Sequence, residues 1–173
     1  RSIVEIVNLN DFKVLHTYLP KIEEIISKTD TSKKEFKRFK INGSPNRYQM
    51  IHPLILANGD LIFQHTDSPL VKINFCGKIS WINDLDPFHH SVEIDEEGNY
   101  WVPSRMYPFS RSVQKYKKGE KFYDDAITKV SPDGKVLYQK SVTEILLKIK
   151  ALHYNDFVTT DPLHLNDIQP VLK

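Results

Sequence analysis

Apolar and polar residues alternate with a period of two along most of the chain, and short glycine-containing turns interrupt the alternation. This pattern is typical of β-hairpins, in which alternate side chains face opposite sides of a sheet. It predicts hairpins over residues 3–18, 52–65, 69–84, 89–104 and 126–140.

The predicted hairpins are of two alternating kinds. One kind begins with histidine and turns at Asn-Gly or Gly-Asn, and the other reads apolar-Lys/Glu-apolar before its turn and Lys-apolar after it. Two hairpins make a four-stranded unit, and Gly59 and Gly98 recur at the spacing of about 40 residues that is typical of propeller blades. We therefore predict an all-β fold, a partial β-propeller over residues 1–173; a generic antiparallel meander or sandwich is the alternative. The predicted units are residues 1–20 (partial), 47–84, 86–140 and 160–173 (partial).

Two segments depart from the β pattern and predict short inserted helices, over residues 19–29 and 141–152. In the first, Pro20 lies near the start, and Ile22 and Ile25 fall on one helical face. A basic, aromatic insertion at residues 105–125 lengthens the second complete unit.

Composition changes this picture little. Apolar residues make up 40% of the 173 residues and charged residues 27%, as in ordinary globular proteins. A net charge of +2 gives no reason to expect nucleic acid as a partner. Cys76 is the single cysteine and cannot form an internal disulfide. The sequence begins with Arg1 and not Met, so we expect that a signal or anchor segment could have preceded it.

Histidines recur at one position of the repeat. Three units place a histidine four residues before an apolar strand residue, and these are His52, His90 and His164. In a propeller the first strands of the blades line a common channel, so equivalent side chains would converge there. The two Asp-Pro-x-His segments offer another alignment, which pairs His89 with His164.

A histidine cluster can bind a metal, move protons or act as a nucleophile. Asp86, Asp161 and Asp167 are close enough in sequence to leave a metal site open. The chain has no GxSxG, HExxH, P-loop or CxxC motif.

Several stretches resemble the arylsulfotransferase family, especially its bacterial aryl-sulfate sulfotransferase branch. The stretches "HHSVEIDEEGNYWVPSR" and "DPLHLNDIQPV" carry most of the likeness, and "IVEIVNLNDFKVLHTY" followed by "HPLILANGDLIFQ" resembles early propeller blades of that family. The resemblance runs from about Val4 to Lys173.

The resemblance implies a six-bladed propeller of which this chain holds about two complete blades. It also implies sulfuryl transfer from one phenol to another through a sulfohistidine, with no nucleotide sulfate donor. We expect no cofactor and no metal. His164 matches the histidine of a His-x-Asn motif completed by Asn166, and His90 or His89 matches the histidine of the double motif. By that match we expect His164, His90 and His89 to be catalytic, and Asn166 to bind substrate. We also expect substrate binding by His52, which shares the repeat position, and by Arg105, which follows the Val-Pro-Ser strand but does not match the family's arginine.

The chain also departs from the family pattern. The family's nucleophilic histidine lies on a later blade than the His-x-Asn motif, and its sulfate-binding arginine has no match before Lys173. We therefore expect both beyond this sequence, and the chain alone to be catalytically incomplete.

The expected partners are phenols and aryl sulfates, together with the remainder of the same chain or a second copy. The family implies a periplasmic or otherwise exported location. Two other functions stay open: a non-catalytic propeller that binds a ligand, and a metal-dependent lyase or hydrolase.

Overall fold

The computed structural model describes residues 2–42, 44, 46–116, 122–153 and 159–171. Part of the basic insertion (117–121), Arg1 in the first predicted unit and residues 172–173 in the last lie outside the described residues.

Antiparallel strands and a few short helices make up the described part of the chain, which confirms the all-β prediction. The strands in chain order are β1 (Val4–Val7), β2 (Val14–Tyr18), β3 (Ile51–Ile55), β4 (Leu61–Gln64), β5 (Ser68–Ile73), β6 (Ile79–Phe88), β7 (Glu93–Ile94), β8 (Tyr100–Arg105), β9 (Asp125–Val130) and β10 (Val136–Ser141). The helices are α1 (Ile22–Lys28), α2 (Lys37–Asn42), α3 (Arg111–Tyr116) and α4 (Val142–Lys148), with a 3-10 turn at Lys34–Phe36. None of the described helices is long and apolar enough to cross a membrane.

Strands β1 and β2 form a separate hairpin, and the remaining strands form one sheet in the order β10-β9-β8-β6-β5-β4-β3, with β7 also paired to β8. The sheet contains two consecutive four-stranded antiparallel units, β3–β6 and β7–β10. It is not closed, because β3 and β10 lie at its edges. Closure into a propeller therefore stays a prediction.

A glycine with positive φ lies in the first and last hairpin turn of each unit, at Gly59, Gly77, Gly98 and Gly134. Glycine suits these positions because it lacks the Cβ atom that makes positive φ costly for other residues. The turn glycines that recur in the sequence therefore occupy equivalent turns in the two units of the structure.

The two units have adjoining cores. The first core contains Phe63 and Val71 of the sheet and is covered by Ile22 and Ile25 of α1. The second core lies between β4, β5 and the second unit, and Phe88 at the end of β6 belongs to it. Phe88 pairs with Ser104 on β8, so this strand end joins the two units.

No strand is assigned in residues 159–171 of the structure, although the repeat predicts one there. A strand needs a hydrogen-bonded neighbour along its length. This segment instead meets the sheet at separate points: Ser91 N–H donates to the Asn166 carbonyl (3.2 Å), and Tyr123 N–H donates to that of Thr160 (2.8 Å).

Candidate active site

A bulge that contains histidine lies at the start of each unit, within β3 in the first unit and just before β7 in the second. In β3, His52 and Pro53 lie opposite the single residue Phe63 of β4. Between β6 and β7, residues 89–92 lie opposite only residues 102–103 of β8. Bulges redirect side chains and are common beside active sites, so both histidine segments are candidates for function.

The three histidines of the repeat share an unusual backbone conformation. The φ angles of His52, His90 and His164 are 41°, 61° and 45°. Such angles are uncommon outside glycine and cost on the order of 1–3 kcal/mol each. The shared conformation favours the alignment that groups His90, and not His89, with His52 and His164.

His89 and His90 form a linked pair that ends on a carboxylate. Their Nδ1 atoms are 2.8 Å apart. On the far side of the His89 ring, Nε2 lies 3.4 Å from Asp125 Oδ1. Both His89 and Asp125 are 1% exposed, and neither of these two atoms makes a well-aligned hydrogen bond to another described residue. The other Asp125 oxygen accepts the Leu165 N–H at 2.8 Å.

His164 approaches the pair from the C-terminal segment. Its ring lies against that of His90, with centroids 5.5 Å apart and planes at 73°. Its Nδ1 is 2.9 Å from Asp161 Oδ2, and its side chain is 61% exposed. In the rings of both His90 and His164, Nδ1 has a partner, and Nε2 makes no hydrogen bond to another described residue.

Arg105 connects the carboxylates of this cluster. Its Nη1 pairs with Asp67, its Nη2 lies 3.8 Å from Asp161 Oδ2, and its Nε lies 4.0 Å from Asp125 Oδ1. The guanidinium carbon lies 3.6 Å from the ring centroid of Tyr123. Arg105 is 8% exposed, so it orders this cluster and has little surface left for a substrate.

Burial and neighbouring charge shift two pKa values in the cluster. Burial lowers the pKa of His90, and the neighbouring His89, His164 and Arg105 lower it further. Burial alone would raise the pKa of Asp125, but its interactions with His89, the Leu165 N–H and Arg105 outweigh burial and hold the pKa below the ordinary value. Asp125 is therefore ionised, and His90 resists taking up positive charge.

The structure brings together four of the six site residues predicted from sequence: His89, His90, His164 and Arg105. Asn166 is exposed, and its backbone carbonyl holds Ser91. His52 is exposed on β3, and no ring contact joins it to His90 or His164 among the described residues. Its unit reaches the cluster through buried Gln64, whose side-chain amide donates to the His90 carbonyl.

Sequence reasoning did not identify Asp67, Tyr123 or Asp125. Asp125 is the first residue of an ordinary alternating strand, and Asp67 lies in a hairpin turn, where aspartate is common. A signal for Asp161 did exist, since the Asp-Pro-x-His repeat places it three residues before His164. Across the described residues, no group of three or more His, Cys, Asp or Glu side chains has the arrangement of a metal site.

The similarity of this chain to known proteins is found at the level of a protein family. No curated protein is significantly similar to the chain. The sequence model of the family described as arylsulfotransferase (ASST) matches residues 52–173, which include both four-stranded units and the histidine cluster. The chain therefore belongs to the arylsulfotransferase family.

Proposed function

We propose that the protein transfers a sulfuryl group from a phenolic sulfate ester to a phenolic acceptor, and that the His90–His164 pair contacts the ester. The observation that carries this proposal is the contact between these two rings, each of which has its Nδ1 engaged. Their Nε2 atoms are then the nitrogens left to meet a ligand. Imidazole N–H groups can hydrogen-bond the oxygens of a sulfate ester, and such bonds strengthen as charge develops.

The two histidines have different surroundings and so suit different tasks. His164 is exposed, and the Asp161 carboxylate engages its Nδ1, so the Nε2 of this ring suits a contact with the sulfuryl oxygens. His90 is partly buried with a lowered pKa, which suits a group that exchanges a proton with a phenolic oxygen.

In the proposed reaction a histidine beyond this chain attacks sulfur. The bond between sulfur and the donor phenol breaks, and its electron pair stays on the phenolic oxygen. An acceptor phenol then attacks the sulfohistidine, the S–N bond breaks, and its electron pair returns to nitrogen. The donor phenolate needs a proton, and the acceptor phenol must lose one.

We also propose that the two units are adjacent blades of a propeller. Support comes from their consecutive four-stranded meanders, the positive-φ glycines at equivalent turns, and the bulge with a left-handed histidine at the start of each unit. In such an arrangement the bulges would lie near one end of a central channel.

The proposal is tested in the intact protein with 4-nitrophenyl sulfate as donor and phenol as acceptor, by following 4-nitrophenolate release and phenyl sulfate formation. We expect release to depend on the acceptor. The His90→Gln and His164→Gln variants should each lose on the order of 100-fold in kcat/KM.

The matched control is His16→Gln, because His16 lies on β2 in the separate hairpin and stacks on Phe75. It should transfer like the parent. Acceptor-independent hydrolysis would overturn the proposal. A parent protein that releases no phenolate, and whose affinity for the ester equals that of the His164→Gln variant, would also overturn it. That result would indicate a non-catalytic binding protein.

A further inference from the structure

A line of polar atoms runs from a buried carboxylate to the surface of the cluster. It passes from Asp125 Oδ1 to His89 Nε2 (3.4 Å), across the His89 ring, and from His89 Nδ1 to His90 Nδ1 (2.8 Å). The far nitrogen of His90 is the end of the line. Every atom in it can hold or pass a proton.

The hydrogen bond between the two rings requires that one Nδ1 carries a proton and the other does not. Asp125 restricts the choice for His89. An unprotonated His89 Nε2 would face the carboxylate oxygen with two lone pairs opposed in a buried site, which is unfavourable. His89 therefore carries a proton on Nε2.

Two states satisfy this restriction. When His89 is neutral, its Nδ1 accepts from His90 Nδ1–H, and His90 Nε2 presents a lone pair. When His89 takes up a second proton, its Nδ1–H donates to His90, and His90 Nε2 then carries the hydrogen. His90 is uncharged in both states, and the positive charge of the second state rests on His89 beside the Asp125 carboxylate.

We infer that Asp125, His89 and His90 form a proton relay, in which a proton stored on His89 switches His90 Nε2 from hydrogen-bond acceptor to donor. Asp125 and His89 are positioning residues in this arrangement, because neither is exposed to a ligand. The lowered pKa of His90 agrees with charge that is stored one residue further from the surface.

The surroundings of the pair fit this storage site. The charged and titratable groups that face it are Arg105 from β8, Asp125 from β9, and His164 with Asp161 from the C-terminal segment. Three carboxylates, including Asp67, surround the single guanidinium of Arg105. Among the described residues these carboxylates place negative charge around the pair, and His89 is the imidazole in contact with Asp125.

The relay would matter to the proposed sulfuryl transfer, and in this respect it rests on that function. As a phenolate leaves, the O–H bond forms with the proton from His90 Nε2, and His90 recovers a proton at Nδ1 from His89. An acceptor phenol reverses the path: its O–H bond breaks, its electron pair stays on oxygen, and the proton ends on His89. His89 thus supplies a proton in the first half of the reaction and receives one in the second half.

The relay itself is tested without substrate, by long-range proton–nitrogen NMR of the histidine rings from pH 5 to 8. We expect His90 to stay neutral while its hydrogen moves from Nδ1 to Nε2 as His89 takes up a proton. Titration of His90 to the imidazolium form would overturn the relay, as would a tautomer that does not change over this range.

The variant for this test is Asp125→Asn, and the matched control is Asp67→Asn, whose side chain contacts Arg105. Loss of the Asp125 charge should lower the midpoint of the His90 switch by at least one pH unit, and Asp67→Asn should move it much less. Equal effects of the two variants would overturn the relay. If Asp125→Asn does not fold, the parent titration alone decides.

An activity measurement separates a relay from a merely structural role. In the intact protein, Asp125→Asn should slow transfer from phenyl sulfate on the order of 10-fold more than transfer from 4-nitrophenyl sulfate, because 4-nitrophenolate leaves without needing a proton. Equal slowing of both donors would contradict the relay. Absence of transfer in the parent would count against the proposed function and leave the NMR result to decide the relay.

Discussion

The ring of His90 packs against the ring of His164 with the two planes at 73°, although the two residues belong to separate segments of the chain. His90 is held by a bulge of the sheet, and His164 is held by a segment without a strand that is fastened through Leu165 to Asp125. The contact therefore depends on how residues 159–171 dock, and the two rings together define the exposed side of the cluster.

Inorganic sulfate should bind this pair more tightly as the pH falls. A proton taken up by the cluster adds positive charge and, through the proposed relay, makes His90 Nε2 a hydrogen-bond donor, so the affinity should rise as the pH falls. Calorimetric titration from pH 8 to 5.5 should show affinity rising by up to about tenfold per pH unit for one linked proton. His90→Gln should flatten this dependence, and an unchanged slope in that variant would contradict the prediction.

Arg105 should contribute mainly to stability. Arg105→Lys keeps the charge but loses the planar fork that reaches Asp67 and Asp161 and stacks on Tyr123, so buried carboxylates lose partners. We expect a loss of about 2–4 kcal/mol in the free energy of unfolding, measured with urea.

The control is Arg47→Lys at an exposed position, which should change stability by less than about 0.5 kcal/mol. If Arg105→Lys unfolds like the parent but loses sulfate binding, Arg105 is a ligand-binding residue and the structural assignment is wrong.

The sequence predicts the hairpins because turn glycines and alternating side chains are local signals. It also predicts that His164 is equivalent to His90 or to His89, because the repeat can be aligned in these two ways. The partners of Arg105 could not be predicted in this way. Asp67, Asp125 and Asp161 come from three segments, and only the tertiary fold shows that they surround one guanidinium. Nor does the sequence distinguish buried Asp125 from an exposed aspartate at the start of a strand.

Gly134 should be the least replaceable of the turn glycines in the second unit. It has φ +87°, and a Cβ added there would lie 2.7 Å from Cδ2 of Trp81 in the first unit. Trp81 donates from Nε1 to the Pro132 carbonyl (3.0 Å), and Asn83 donates to that of Gly134 (2.8 Å). Gly134→Ala should therefore weaken the junction of the units as well as strain the turn.

Gly77→Ala is the matched control, because Gly77 has φ +77° and nothing within 4 Å of the added Cβ. It should cost about 1–2 kcal/mol from backbone strain alone. Gly134→Ala should cost at least about 1–2 kcal/mol more in urea unfolding, because overpacking adds to the strain. Equal losses in the two variants would show that the contact with Trp81 does not hold the units together.

Asp86 should make the protein less stable as the pH rises through the mildly acidic range. This side chain is 1% exposed, and it accepts hydrogen bonds from the Tyr107 N–H (3.0 Å) and Gln139 Nε2 (2.7 Å). Burial raises its pKa from 3.8 to about 6, and those hydrogen bonds only partly oppose the rise. Between these two values the folded state holds a proton that the unfolded state has released, so raising the pH favours unfolding.

Asp86→Asn cannot ionise and still offers an oxygen to the Tyr107 N–H, so it should lack this dependence. The stability of the parent relative to the variant, from urea unfolding, should fall by about 2 kcal/mol between pH 4 and pH 7.5. Other titrating groups are common to both proteins and cancel in this difference. Asp11→Asn, in the exposed turn between β1 and β2, should show no such change against the parent. A parent–variant difference for Asp86 that is constant with pH, or that grows as the pH rises, would show that the buried carboxylate is already ionised at low pH.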